Sequence, residues 1–418
     1  MKYKKISHCR LCYSNKVKKI IDFGSICCSS IFPYKNLNYK KITPMIFAVC
    51  NNCNLAQLLH NYNLKELYND NYGYRSGINP AMCKHLGGIT SDIKKIVKFK
   101  KGDYALDIAS NDGTLLKSYK FLGLKYVGID PTISRFKKFY PKNFKIKSTF
   151  FSKQKYLNLS KRKKAKSITT IAVFYDIIKP SSFVSDIKDI LREDGIWVME
   201  QSYLPLLLRD NAYDSICHEH LTYFTLKQIN YLCSKNDLRI FKTSLNSMYG
   251  GSIRIFICHK KSKYKTDYKS IQKCKKLETK FVNSKYLLKF RNKIKLLSSR
   301  LNFVIKRFKK EKKIIHVYGA STKGNIILQY SKIDKKDISF AADRNPLKWN
   351  RKMPGSNIPI ISEKTSRSKK PDFYLVLPWY FKKVFINREK KFLSKGGRLI
   401  FPLPKVEIVS KKNLINKF

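Results

Sequence analysis

One pattern occurs twice in this chain and limits its fold more than any other feature. Tyr104–Ile108 is a short apolar strand that holds Asp107. Ala109-Ser110-Asn111-Asp112-Gly113 is a tight turn, Thr114–Leu116 opens a helix, and Tyr126–Asp130 is a second strand ending in an acid 23 residues after Asp107. Downstream, the strand Ile314–Tyr318, the turn Gly319–Asn325, a helix over Ile326–Tyr330 and the acid-tipped strand Ile338–Asp343 repeat it. A strand, small-residue turn, helix and acid-tipped strand form the unit of a nucleotide-binding α/β sheet. The turn lets a ligand approach the backbone, and the acid accepts hydrogen bonds from ribose hydroxyls. Apolar runs at Ile168–Tyr175 and Gly195–Glu200 flank a helix over Phe183–Leu191. A helix over Leu226–Asn236 and strands at Arg239–Ser244 and Ser252–His259 follow. Phe373–Leu377 and Arg398–Phe401 extend the second unit. The alternation predicts a parallel, doubly wound sheet.

The first turn lacks the G-x-G-x-x-G spacing of dinucleotide sites. A strand-end acid followed by a small-residue turn fits S-adenosylmethionine better, because that ligand has no pyrophosphate to seat on a helix N-terminus. Asp107, Ala109, Ser110, Asn111, Asp112, Gly113 and Asp130 are the candidate cofactor contacts. In the second unit Lys323 opens a helix from a turn suited to a phosphate or diphosphate. A salt-bridged helix-start lysine is the plain alternative.

Ahead of both units, Cys9-Arg10-Leu11-Cys12 and Cys50-Asn51-Asn52-Cys53 form two C-x-x-C pairs separated by 37 residues. Each pair presents two thiolates from one tight turn, and two pairs complete a closed structural zinc site with no open catalytic position. Cys27 and Cys28 are adjacent and are read as spectators. Eleven cysteines, four of them spaced as ligands, point to a reducing, cytoplasmic setting rather than a disulfide framework. Residues 1–15 are basic and polar with no apolar run behind them, so no signal peptide is expected, and no segment is apolar enough for a membrane span.

Chemistry concentrates in Tyr213–Phe224, YDSICHEHLTYF. The chain has 7 histidines, and His218 and His220 flank Glu219 here. Such groups move protons near neutral pH; a polar surface turn is the bland alternative. Upstream, Tyr72-Gly73-Tyr74-Arg75-Ser76-Gly77 is a loop whose Tyr72, Tyr74 and Arg75 suit a pocket wall. The net charge of +59, from 87 Lys and Arg against 28 Asp and Glu, is spread along the chain with many Ile, Asn and Tyr. That spread favours compositional drift over a dedicated nucleic-acid surface, so nucleic-acid binding is open on charge but not favoured. Lys260–Lys313 reads as basic helices joining two domains.

Taken in order, CxxC…CxxC, YGYRSGINPAM, DIASNDGTLL, VGIDP, FYDI, YDSICHEHLTYF, GGSIR and GASTKGN resemble the three-domain sugar C-methyltransferases. The resemblance spans nearly the whole chain. It implies a small zinc module, a class I (Rossmann-like) methyltransferase domain and a second, C-terminal Rossmann-like α/β domain, with expected bounds 1–62, 63–258, a helical linker 259–312, and 313–418. It implies S-adenosylmethionine as methyl donor, a structural zinc ion, and a dTDP-linked 4-keto-6-deoxysugar as acceptor. It places the base on His220, the motif glutamate on Glu219 and an active-site tyrosine on Tyr74. Ala109 stands where such turns carry their first glycine, and Cys217 stands where the family has a tyrosine. Removing a proton beside a ketone requires a base and a group that holds the enolate oxygen. On this reading His220 is the base, Glu219 or His218 orients it or polarises the ketone, and Tyr74 donates to that oxygen. Tyr72, Arg75 and Lys323 are expected on the substrate. The rival readings are a methyltransferase for nucleic acids or other small molecules, and a catalytically decayed binding homologue.

Overall fold

The computed structural model describes residues 2–34, 36, 42–68 and 72–411. Among the described residues, three larger sheets carry the chain, beside a two-stranded pair of Tyr3–Lys5 with His60–Tyr62. Near the N-terminus Val17–Cys27, Ile42–Cys50 and Ala56–Leu58 pair antiparallel. The fourth strand of that sheet is Thr222–Tyr223, from the segment that holds the two histidines, with Thr222 opposite Gln57 and Tyr223 opposite Ala56. Leu58 N–H also donates to Leu221 O at 2.9 Å. The sequence carries no sign of this pairing, which joins residues far apart along the chain.

The central sheet has seven strands in the order 238–246, 252–259, 191–202, 165–171, 104–108, 125–129, 145–147. The last five are mutually parallel, and Ser252–His259 runs antiparallel to both of its neighbours. The expected all-parallel sheet is therefore mixed at one edge. The helix Pro80–Ile96, capped by the Asn79 side chain and begun by proline, buries Met82, Leu86, Ile89 and Ile93 on one face of this sheet, as its 3–4 spacing dictates. The C-terminal sheet has six strands, ordered 360–362, 340–343, 315–318, 373–376, 398–401, 407–409, and only the last is antiparallel.

Ile168–Tyr175, expected as one strand, is corrected by the structure. The strand spans Ala165–Ile171, Ala172 turns to a left-handed φ of 56°, and Phe174–Asp176 forms a single 3₁₀ turn. Extended pairing cannot continue through a left-handed residue, so Tyr175 and Asp176 leave the sheet at the C-terminal end of its strands.

The basic stretch forms helices Tyr268–Phe281 and Ser284–Lys310. Along the second, Leu287, Phe290, Ile294, Leu297, Leu301 and Ile305 recur every three or four residues and are buried. That stripe joins the N-terminal and C-terminal sheets into one apolar core, while lysines and arginines occupy its solvent side. Among the described residues, no helix is long and apolar enough to cross a membrane.

Candidate active site between the central and C-terminal sheets

The sulfur atoms of Cys9, Cys12, Cys50 and Cys53 lie within 4.8 Å of one another, with Cys9–Cys53 at 3.5 Å and Cys12–Cys50 at 3.6 Å. A tetrahedral ion with Zn–S bonds of about 2.3 Å needs sulfurs about 3.8 Å apart, so the four thiols fit zinc. Leu11 N–H and Asn52 N–H each donate to the first sulfur of their pair at 3.4 Å, the hydrogen bonding a thiolate wants. Cys27 and Cys28 are buried elsewhere and take no part.

A cavity of about 520 Å³ opens where the strands of the central sheet end, and it runs across to the C-terminal sheet. Asp107, Ala109, Ser110, Asn111 and Asp130 line its central-sheet side, with Ile129, Phe150, Phe151 and Phe183 as an apolar wall. Ala109 takes φ 61° and Asn111 φ 50°, so the turn keeps the left-handed path that glycine makes easy. Asp130 accepts from Thr132 N–H at 2.6 Å, Thr132 Oγ1 at 2.5 Å and Asn111 N–H at 3.0 Å. A carboxylate has about four acceptor sites, so one remains for a ribose hydroxyl. Burial pushes the Asp107 carboxyl up to about 7, against the hydrogen bond from Thr169 at 2.6 Å. The residues present fit S-adenosylmethionine: an acid for the ribose, an aromatic slot for the base, and carboxylates near a cation.

Asp112 and Gly113 do not line the cavity. Asp112 instead holds the tyrosine loop, accepting from Arg75 Nε at 3.1 Å and Gly77 N–H at 3.0 Å, while Asn111 Oδ1 accepts from Ser76 N–H at 2.9 Å. The turn that flanks the cofactor side thus also pins Tyr72 and Tyr74 over the cavity. Arg75 is committed to Asp112 and lies 3.8 Å over the Phe139 ring.

The Tyr213–Phe224 segment crosses the cavity floor. His220 Nδ1 donates to Ser215 O at 2.7 Å, which leaves Nε2 bare, and the ring lies 3.9 Å from that of Tyr175. Burial, then the nearby Lys323 ammonium, lower its pKa to about 3, so the imidazole is neutral and Nε2 carries a lone pair. Glu219 lines the cavity beside Cys217, and its Oε2 accepts from Ser29 Oγ at 3.4 Å. His218 points the other way. It is fully buried outside the cavity against Tyr62 (ring centroids 4.9 Å), and neither ring nitrogen has a hydrogen bond of normal geometry among the described residues. The group that orients His220 is the Ser215 carbonyl rather than Glu219 or His218.

From the C-terminal sheet, Lys323 Nζ donates to Ser215 Oγ and to Tyr249 O, both at 2.8 Å. Its ammonium is lowered by burial and supported by Asp214. Lys323 therefore stands beside His220, at the join between the two sheets. Arg344, Lys348 and Arg388 line the same side of the cavity; Glu363 accepts from Arg344 at 3.2 Å and from Arg388 at 2.9 Å. Asp107, Asp130, Asp176 and Glu219 line the methyltransferase side together with Arg75, and Lys323, Arg344, Lys348 and Arg388 line the other, where Asp343 and Glu363 pair with Lys348, Arg344 and Arg388.

Sequence reasoning passed over Tyr68, Tyr175, Asp176 and Tyr249, all in the lining. For Asp176 a signal existed. A lone acid just after an apolar strand of a parallel sheet falls at the carboxyl ends of the strands, where such sheets bind ligands. Nothing in the sequence points to Tyr249, whose φ of 56° and place beside Lys323 are tertiary.

Three family models match in order along the chain: a zinc binding domain over residues 9–68, a methyltransferase domain over 85–243, and a C-methyltransferase C-terminal domain over 247–404. Among curated proteins the chain is similar to the C-methyltransferase NovU of Streptomyces niveus, 24% identical over 414 residues that cover 98% of each chain. Among solved structures, a magnesium protoporphyrin IX methyltransferase from Synechocystis PCC 6803 with bound SAH overlays 47% of this chain and 92% of its own at 11% identity, TM-score 0.34. A methyltransferase of calicheamicin biosynthesis in its SAH-bound form overlays 43% of this chain and 54% of its own at 11% identity, TM-score 0.33. Both overlays are too loose to support residue correspondences.

Proposed function

We propose that this chain, an S-adenosylmethionine-dependent C-methyltransferase with a structural zinc ion, methylates the carbon next to the ketone of a nucleoside-diphosphate keto-deoxysugar. The observation that carries this reading is a cavity shared by the two α/β sheets, with a neutral, oriented imidazole between its halves and four cations on its C-terminal side. The tyrosine-lined half suits a sulfonium cation chiefly through its ring faces. The basic half suits a diphosphate, with Arg344, Lys348 and Arg388 as its contacts.

Bound S-adenosylmethionine supplies an electrophilic methyl group. The chain does the rest. Asp130 holds the ribose, and Phe150 and Phe151 cover the base. His220 Nε2 removes the proton beside the ketone, and Ser215 O stabilises the imidazolium through Nδ1–H. Tyr74, pinned by the turn, closes the cavity on the acceptor. Positioning two substrates in a buried site supplies much of the rate. The expected bounds 1–62, 63–258, 259–312 and 313–418 are the division we adopt, and eleven cysteines outside any disulfide, four of them grouped for a metal, support a cytoplasmic protein.

The test is transfer of labelled methyl to dTDP-4-keto-6-deoxyglucose, with calorimetric binding of S-adenosylhomocysteine alongside. His220→Ala should lower transfer by about 10²–10⁴-fold, the range for a lost general base, while S-adenosylhomocysteine binds as to the unmodified protein. Normal turnover in that variant removes His220 as the base.

A further inference from the structure

Asp176 is a buried acid with half of its hydrogen-bonding capacity unused. The residue is 8% exposed and lines the cavity. Oδ2 accepts from Tyr68 OH at 2.7 Å, whereas Oδ1, fully buried, has no partner among the described residues. An unpaired buried carboxylate oxygen costs several kcal/mol unless it is protonated or a ligand satisfies it. The groups that face it are Tyr68 at the end of the short helix Leu64–Leu67, Tyr72 from the loop, Tyr175 next to it, and Cys217, Glu219 and Tyr223 from the histidine segment. None is a cation. Tyr175 is also the ring against His220, so Asp176 and the base flank one space.

Resting on the enolate reading above, we propose that Asp176 is a second catalytic group, the hydrogen-bond donor to the ketone oxygen of the acceptor. Burial, and then Glu219, hold its carboxyl well above the usual range, so that it carries its proton near neutral pH. When His220 Nε2 takes the proton from carbon, the C–H electron pair forms the C=C bond. The carbonyl π pair moves to oxygen, against the Asp176 O–H. As the new C–C bond forms and the methyl–sulfur bond breaks, the pair returns to C=O and a neutral sulfide leaves. The proton on His220 passes to solvent. A carboxyl kept neutral by its surroundings is a donor suited to growing negative charge.

The experiment reads two signals: deuterium exchange beside the ketone of dTDP-4-keto-6-deoxyglucose with S-adenosylhomocysteine bound, and methyl transfer. Asp176→Ala should lower both by about 10²–10³-fold, the cost of one lost oxyanion donor. Asp176→Asn keeps an N–H donor and should stay within about tenfold of the parent. The pH profile separates a donor from a merely structural residue. In the parent, activity should fall as pH rises through the ionisation of Asp176, because the ionised carboxylate repels the enolate; Asp176→Asn should lose that limb. Thermal unfolding and S-adenosylhomocysteine binding report folding, and if Asp176→Ala does not fold, the limb in Asp176→Asn decides. Exchange in Asp176→Ala within about threefold of the parent, or a limb that persists in Asp176→Asn, overturns the proposal. A parent that neither exchanges nor methylates this sugar overturns the acceptor class instead.

Discussion

Ser215 holds His220 by its carbonyl, 2.7 Å from Nδ1, and the same residue receives the Lys323 ammonium on its hydroxyl at 2.8 Å. A carbonyl only accepts, so the proton sits on Nδ1 and the basic nitrogen is Nε2. The histidine at the end of the central sheet is thus tied, through one serine, to a lysine that opens a helix beside the C-terminal sheet.

Lys323→Met breaks that tie and removes a positive charge next to the imidazole. Burial remains the larger cause of the low His220 pKa, so the value should rise from about 3 without reaching that of a free histidine. Turnover should drop by roughly 10–100-fold as Ser215 loses its anchor. A histidine NMR titration and kcat measured together check this; an unchanged His220 titration would mean the ammonium does not act on the ring.

His218 gives a separate expectation. His218 and His220 are each lowered to about 3 by burial, against about 6.5 in an unfolded chain. As pH falls below 6.5 the unfolded chain binds these protons first. Stability should therefore be lost between about pH 6.5 and 3, by about 5 kcal/mol for the two groups together by pH 4.5. His218→Phe keeps the ring against Tyr62, removes two buried polar nitrogens, and should halve that loss in denaturant titrations run across pH while sparing activity. Loss of activity in this variant would restore His218 to the catalytic set that the sequence suggested.

At Ala109 the left-handed backbone costs an L-residue about 1–2 kcal/mol. Ala109→Gly relieves that strain and gives back part of it as unfolded-chain entropy, a net gain of roughly 0.5–1 kcal/mol. Calorimetry should find S-adenosylhomocysteine binding equal or tighter; weaker binding would show that the methyl group packs on the donor.

Zinc removal should reach the active site. The strand Thr222–Tyr223, two residues past His220, pairs with Ala56–Leu58, just after the Cys50–Cys53 turn. Chelation should lower the unfolding temperature and abolish methyl transfer in parallel with zinc release, as should Cys53→Ser. Full activity after complete release would uncouple the two sites.

Strand–turn–helix periodicity placed both α/β units, and the cysteine spacing placed the metal group, because those signals are local. A turn needs its small residues in sequence, and a C-x-x-C pair makes its knuckle alone. Elsewhere local signals misled. Asp112 looks like a ligand contact in its turn, yet its carboxylate is spent on Arg75 and Gly77. The apolar run to Tyr175 reads as strand until Ala172 turns it out of the sheet.

By itself the sequence determined which units this chain would build: a four-thiolate module, a central sheet with a donor turn, a second α/β sheet, and a histidine segment able to move a proton. It did so through short-range spacing, which sterics and ligand geometry read directly. Only the tertiary structure decided which of two neighbouring histidines faces the cavity, that Lys323 comes from another sheet to stand beside it, and that Asp176 lies with Glu219 in one acidic wall. Those facts depend on burial and on contacts between residues more than a hundred positions apart in the case of Ser215 and Lys323. No local pattern encodes which face of a segment the rest of the chain will cover.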